Sequence, residues 1–197
     1  MNLQHAVALA QVALTFGQVT RSTQHPDGAP ESDPTHTVML TLIAAEFAEE
    51  MGLDVGLTVQ HAAVHDIPET YSGDVCTARG LSQTEAFLKA QREQESTQRL
   101  QHELGADSWV VRRIRRYERQ TEPEARLVRY LDKVLPKLTH LLNHGAALRA
   151  LGMTVEETVS AHRRQGEKLA QEYPEFPKIQ QLFKEACSKV ERVMREP

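Results

Sequence analysis

Three times along the chain a hydroxyl residue is followed, three positions later, by a glutamate at the head of a segment with helical periodicity: Ser82 with Glu85, Thr121 with Glu124, and Thr154 with Glu157. This is the capping box, in which the hydroxyl and the returning carboxylate satisfy backbone N–H groups that the first turn of a helix leaves without partners. Each pair predicts a helix start. Convincing alternation of apolar and polar residues is absent, and aromatic residues make up only 5% of the chain, which is low for a sheet protein. The expected fold class is all-α. Residues 3 to 18 form a first helix, and QVTRSTQHPDGAPESDP, with three prolines and a glycine, breaks the pattern into a long loop of the kind that is often functional. A second helix begins near Pro34, capped by Ser32 or Asp33, and ends by Gly52. A third runs from Leu57 to Asp66, because Pro68 disfavours helical geometry at Ile67. Asp107 or Ser108 opens another, and Pro177 to Arg195 reads as the last.

A chain of 197 residues with 40% hydrophobic and 25% charged residues supports one sizeable core, so residues 1–197 are read as a single domain. The net charge of -4 provides no broad basic field, and no polymeric nucleic acid is expected as a partner. A small anionic substrate needs only a few local cations and stays open. Cys76 and Cys187 are far apart in a chain without a secretory leader, so a disulfide framework is not expected and the compartment is read as the cytoplasm. The amino-terminal run HAVALAQVALTF is interrupted by Gln11 and too short to span a bilayer, so no membrane association is expected.

Several polar residues fall on apolar stripes. In the helix starting near Glu122, Val128, Leu131, Leu135, Leu138 and Leu142 step by three and four, and Asp132 lies on that stripe. A buried carboxylate is paired, protonated or metal-bound, and a salt bridge is the plain alternative. His36 lines up with Leu40, Ile43 and Phe47; alone, it reads as a hydrogen-bonded core or capping histidine. His61 and His65 share a face at a spacing of four, but Ala62 stands where a zinc protease needs glutamate, so His61 is expected to be packed or to sit behind a ligand. Taken together, His36, His65, Asp66 and Asp132 offer mixed nitrogen and oxygen ligands from three helices. Such a set suits one divalent metal ion per subunit, with manganese, cobalt, iron, nickel, zinc and magnesium all open. The lack of thiolates argues against a closed structural zinc site. Four protein ligands on a six-coordinate ion leave two positions for water and substrate.

The ordered set Arg21, His36, HDIPETYSGD at 65–74 and YERQTEPEARLVRYLDK at 117–133 resembles the HD-domain metal-dependent phosphohydrolase superfamily, and within it the 5′-deoxynucleotidase branch. The motif core covers residues 21–133, followed by C-terminal helices over 155–195. The resemblance implies a single-domain helical bundle of about seven to eight helices that assembles as a homodimer. It implies that His36, His65, Asp66 and Asp132 bind a divalent metal. It also implies hydrolysis of a deoxynucleoside 5′-monophosphate to deoxynucleoside and phosphate. Glu69 is expected to orient or deprotonate the attacking water, and Asp74 to protonate the leaving 5′ oxygen or hold the 3′ hydroxyl. Arg21 is expected on the phosphate or sugar, and Glu118 on the substrate side. By themselves Glu69 reads equally as a solvated acid, Arg21 as a solvated loop residue, Asp74 as a turn former, and Glu118 as part of the charged helix face RRIRRYERQTEPE. Three positions depart from the branch: Ser22 where an aromatic residue commonly follows the arginine, Thr35 where an acid usually precedes the first metal histidine, and Val75 where a proline often follows Gly-Asp. Other HD enzymes of this size release triphosphate from deoxynucleoside triphosphates or act on nucleotide analogues, and an HD-like shell can also sense a nucleotide without turnover.

Overall fold

Helices account for nearly all the regular structure in a computed structural model that describes residues 2–196. The chain divides into two compact units, one built from the segment ending at Thr20 with Ser32–Val75 and Leu81–Val128, the other from Arg21–Glu31, Cys76–Gly80 and the chain from Arg129 onward.

In the first unit, α1 (Leu3–Phe16) is capped by Asn2, whose side chain accepts from the His5 N–H. The next helix, α2 (Asp33–Met51), starts at Ser32, whose hydroxyl accepts from the Thr35 N–H, and stops at Gly52 in the left-handed region that glycine tolerates. Its buried stripe runs through Asp33, His36, Leu40, Ala44 and Ala48, so the expected line through Ile43 and Phe47 is displaced; both of those are only half-buried. Two alanines on the inner face let α2 approach α3 (Val55–Val64) closely. That helix ends two residues sooner than expected, and His65 to Pro68 form turns before the single turn α4 (Glu69–Ser72). The long α5 (Gln83–Leu104) has the predicted Ser82–Glu85 capping box, and α6 (Trp109–Glu118) has the predicted Ser108 cap. Val12, Val64, Leu100, Leu104, Val111 and Ile114 join α1, α3, α5 and α6 in one apolar cluster. Burying each such side chain is worth about 1.5–3 kcal/mol.

The helix α7 (Pro123–Leu142) starts in the first unit. Pro123 takes the first helical position, which leaves Thr121 outside the helix and prevents the expected Thr121–Glu124 box. Glu124 instead accepts from the Asp54 N–H at 3.2 Å. Val128, Leu131 and Leu135 are buried as expected, but Leu138 is half-buried and Leu142 is exposed, so the stripe fades over the last turn.

In the second unit the anticipated loop is ordered as a two-stranded hairpin, β1 (Thr20–Gln24) and β2 (Pro30–Ser32). Thr23 donates to the buried Glu31 carboxylate, and Asn143 donates to the Gln24 carbonyl at 2.7 Å. A short α8 (Ala146–Ala150) precedes α9 (Val155–Glu172), which has the predicted Thr154–Glu157 box and packs on α10 (Pro177–Arg195). Leu148, Met153, Val190 and Met194 form this unit's apolar cluster. Among the described residues no helix is long and apolar enough to cross a membrane.

Candidate metal centre

His36 occupies the first turn of α2 and is fully buried, on the same face as Asp33 and Leu40. Its ring centroid lies 5.5 Å from that of His65. His65 sits just past the end of α3, where its Nδ1 is 2.8 Å from the Ala62 carbonyl. A carbonyl only accepts, so Nδ1 carries a proton, and Nε2 is the nitrogen turned toward Asp66. The Asp66 Oδ2 lies 2.9 Å from that nitrogen. A proton or a cation between the two satisfies both.

Asp132, on α7, is buried, and its Oδ2 accepts from the Lys133 ammonium at 2.7 Å. The salt-bridge alternative is therefore present, but it does not exclude ligation. Among the described residues of the first unit, one ligand-type atom from each of His36, His65 and Asp66 falls within 4.8 Å of the others. The donor chemistry fits a divalent ion: two imidazoles and a carboxylate, no thiolate, and a histidine whose second nitrogen is fixed by a backbone carbonyl.

A second group shares Asp66. Carboxylate oxygens of Asp33, Asp66 and Glu69 also lie within 4.8 Å of one another. Glu69 opens α4 and is buried; Lys89, reaching over from α5, donates to it at 3.1 Å and also to Glu93. Burial first, then the charges of Asp66, Asp74 and Asp33, push the Glu69 carboxyl up to about 9, with Lys89 pulling the other way. Burial works against the Lys89 ammonium, yet Glu69 and Glu93 raise it above the usual lysine range. Crowded acids of this kind are what a divalent cation offsets.

Asp74 follows Gly73, whose φ of 72° suits glycine. Asp74 is half-buried, and its carboxylate is one of those that raise Glu69. Arg21 is half-buried on β1, and Glu118 is exposed at the end of α6. His61 is buried outside the ligand cluster, with Nε2 3.0 Å from Glu122 Oε2. Burial lowers its pKa against the pull of Glu122.

From the sequence Asp33 reads only as a cap, although its spacing of three from His36 puts both on one face. Lys89 carries no local signal, because its contact with Glu69 spans twenty positions.

The model of the HD domain family matches residues 17–175, and the chain belongs to that family. Among solved structures, a predicted metal-dependent phosphohydrolase from Magnetospirillum magnetotacticum MS-1 is similar over 98% of this chain and 96% of its own, with a TM-score of 0.67 and 20% identity. At that identity the likeness concerns the fold. No curated protein sequence matches the chain.

Proposed function

We propose that this chain is a divalent-metal-dependent phosphohydrolase, and that its substrate is a deoxynucleoside 5′-monophosphate, hydrolysed to deoxynucleoside and phosphate. The observation that carries the reading is the convergence of His36, His65 and Asp66, with Glu69 packed against Asp66. In the HD domain family, and beside a structural neighbour described as a metal-dependent phosphohydrolase, that convergence supports phosphoester hydrolysis. The narrower substrate rests on the motif resemblance at residues 21–133.

His36, His65, Asp66 and Asp132 would hold one divalent ion. When bound, such an ion supplies Lewis acidity toward a phosphoryl oxygen and lowers the pKa of a water. Glu69, with the neighbouring acids that raise it offset by a bound divalent cation, is the carboxylate that accepts the proton of the attacking water, and Lys89 holds that carboxylate in place. Asp74 serves the leaving 5′ oxygen or the 3′ hydroxyl. Arg21 offers a fork of donors to the phosphate, and Glu118 stands on the substrate side. Leu3, Val7 and Leu14 on α1 and Val38 and Leu42 on α2 are exposed apolar residues at helical spacing, which supports the reading of a homodimer.

The test is product analysis with metal-reconstituted protein across deoxynucleoside mono- and triphosphates and their ribose counterparts. Orthophosphate from deoxynucleoside monophosphates is the expected result. Inorganic triphosphate from deoxynucleoside triphosphates would replace this reading with a triphosphohydrolase, and nucleotide binding without turnover under any metal would replace it with a sensor.

A further inference from the structure

Helix α6 carries a feature that the metal centre does not use. Arg112, Arg113, Arg115, Arg116 and Arg119 line a surface groove of about 380 Å³ together with Trp109 and Asp107. Spacings of three and four put like charges on neighbouring turns, which weakens a helix. Carboxylates offset little of that charge: among the described residues Arg116 is the one member with an acidic side-chain partner, Glu122, to which its Nε donates at 2.7 and 2.9 Å. Arg112 donates to the Asp107 carbonyl and Arg115 to the Ala106 carbonyl at 3.3 Å. Those bonds anchor the guanidinium groups without cancelling their charge.

Arg113 is the most informative of the five. Its Nη1 is buried and has no hydrogen-bond acceptor. Burial first, then neighbouring Arg116 and Arg112, push it below the ordinary arginine range, with Glu122 opposing. A buried charged donor without an acceptor costs more than a typical hydrogen bond contributes, and an anion in the groove supplies the missing acceptor. The Arg113 Cζ lies 5.8 Å from the centroid of the Trp109 ring, while Trp109 remains 46% exposed.

An exposed aromatic plane beside guanidinium forks matches a nucleotide, whose base stacks while its phosphate oxygens accept. The groove is large enough for one such molecule. A polymer is disfavoured, because its affinity comes from many phosphates over a broad basic surface; this patch is confined to α6 and the residues flanking it on a chain of net charge -4. We propose that the α6 groove is a second, non-catalytic site for a nucleoside polyphosphate, its base against Trp109 and its phosphates against Arg112, Arg113, Arg115 and Arg119.

Trp109 is the single tryptophan of the chain, so its fluorescence reports on this groove. ATP titrated into the full chain in EDTA, where metal-dependent turnover is suppressed, should quench that fluorescence saturably. Inorganic triphosphate should displace the ATP and restore the signal. The double variant R113A/R119A should weaken ATP at least about a hundred-fold, on the basis of roughly ten-fold per charged hydrogen-bond donor. Asp132→Ala should leave ATP binding unchanged. The proposal fails if millimolar ATP gives no saturable quench, if R113A/R119A binds as the parent does, or if Asp132→Ala abolishes the quench. It also fails if a single-stranded oligonucleotide displaces ATP at far lower concentration, which would assign the groove to nucleic acid.

Discussion

His140 on α7 should make this protein acid-sensitive in a way that one substitution removes. The residue is 4% exposed, and its Nδ1 is buried without a hydrogen-bond partner. Burial first, then the positive charges of Lys137 and His162, push it down from 6.5 to about 3, with Glu31 alone pulling upward. A base whose folded pKa is depressed binds its proton in the unfolded chain first, so stability falls as pH drops from about 6.5 toward about 3 and is level outside that window. At about 1.4 kcal/mol per pH unit the full loss is at most about 5 kcal/mol, and between pH 7.5 and pH 5 it is about 2 kcal/mol. His140→Leu conserves volume roughly and removes no hydrogen bond made by Nδ1, so its effect at pH 7.5 should stay within about 1.5 kcal/mol. Urea unfolding of both proteins in EDTA at pH 7.5 and pH 5 isolates the contribution, because every other titrating group cancels in the difference. The variant should gain about 2 kcal/mol on the parent over that interval. Parallel stability curves would refute the assignment of a neutral, proton-resisting His140.

Asp132→Ala should bind less than a tenth of the parent's divalent metal by elemental analysis and lose activity in step; full occupancy would remove Asp132 from the ligand set. Glu69→Gln should keep the metal and lower kcat by about 10²–10⁴-fold, and an active variant would end the proton-acceptor role. Lys137 is 8% exposed and lowered by burial, with Lys133 adding to that and Cys187 opposing it, so Lys137→Met should stabilise the metal-free chain by about 1–2 kcal/mol at neutral pH. A lower denaturation midpoint for that variant would show that the ammonium is better accommodated than its surroundings indicate.

The helices were legible because their signals are local. Ser82 with Glu85 and Thr154 with Glu157 form the predicted boxes, and Pro177 opens the last helix where expected. The hairpin was not legible: TRSTQ has no apolar alternation, with Thr23 its single buried residue. Its partners are Glu31 and the distant Asn143. The candidate ligands were legible as residue types because histidine and aspartate on or beside apolar stripes are costly without a purpose. How His65 and Asp66 are presented was not. Both leave the helix before Pro68, with the imidazole itself bonding to the Ala62 carbonyl. The same limit applies to Lys89, since a long-range ion pair depends on how α4 and α5 pack rather than on any spacing.

Pro136 lies inside α7, four residues after Asp132. Proline has no N–H to donate to the carbonyl four positions back, and its ring crowds that carbonyl. The helix therefore has a built-in joint one turn past a proposed metal ligand. In mechanical terms α7 is a rod with one tie missing, at the turn that begins on Asp132.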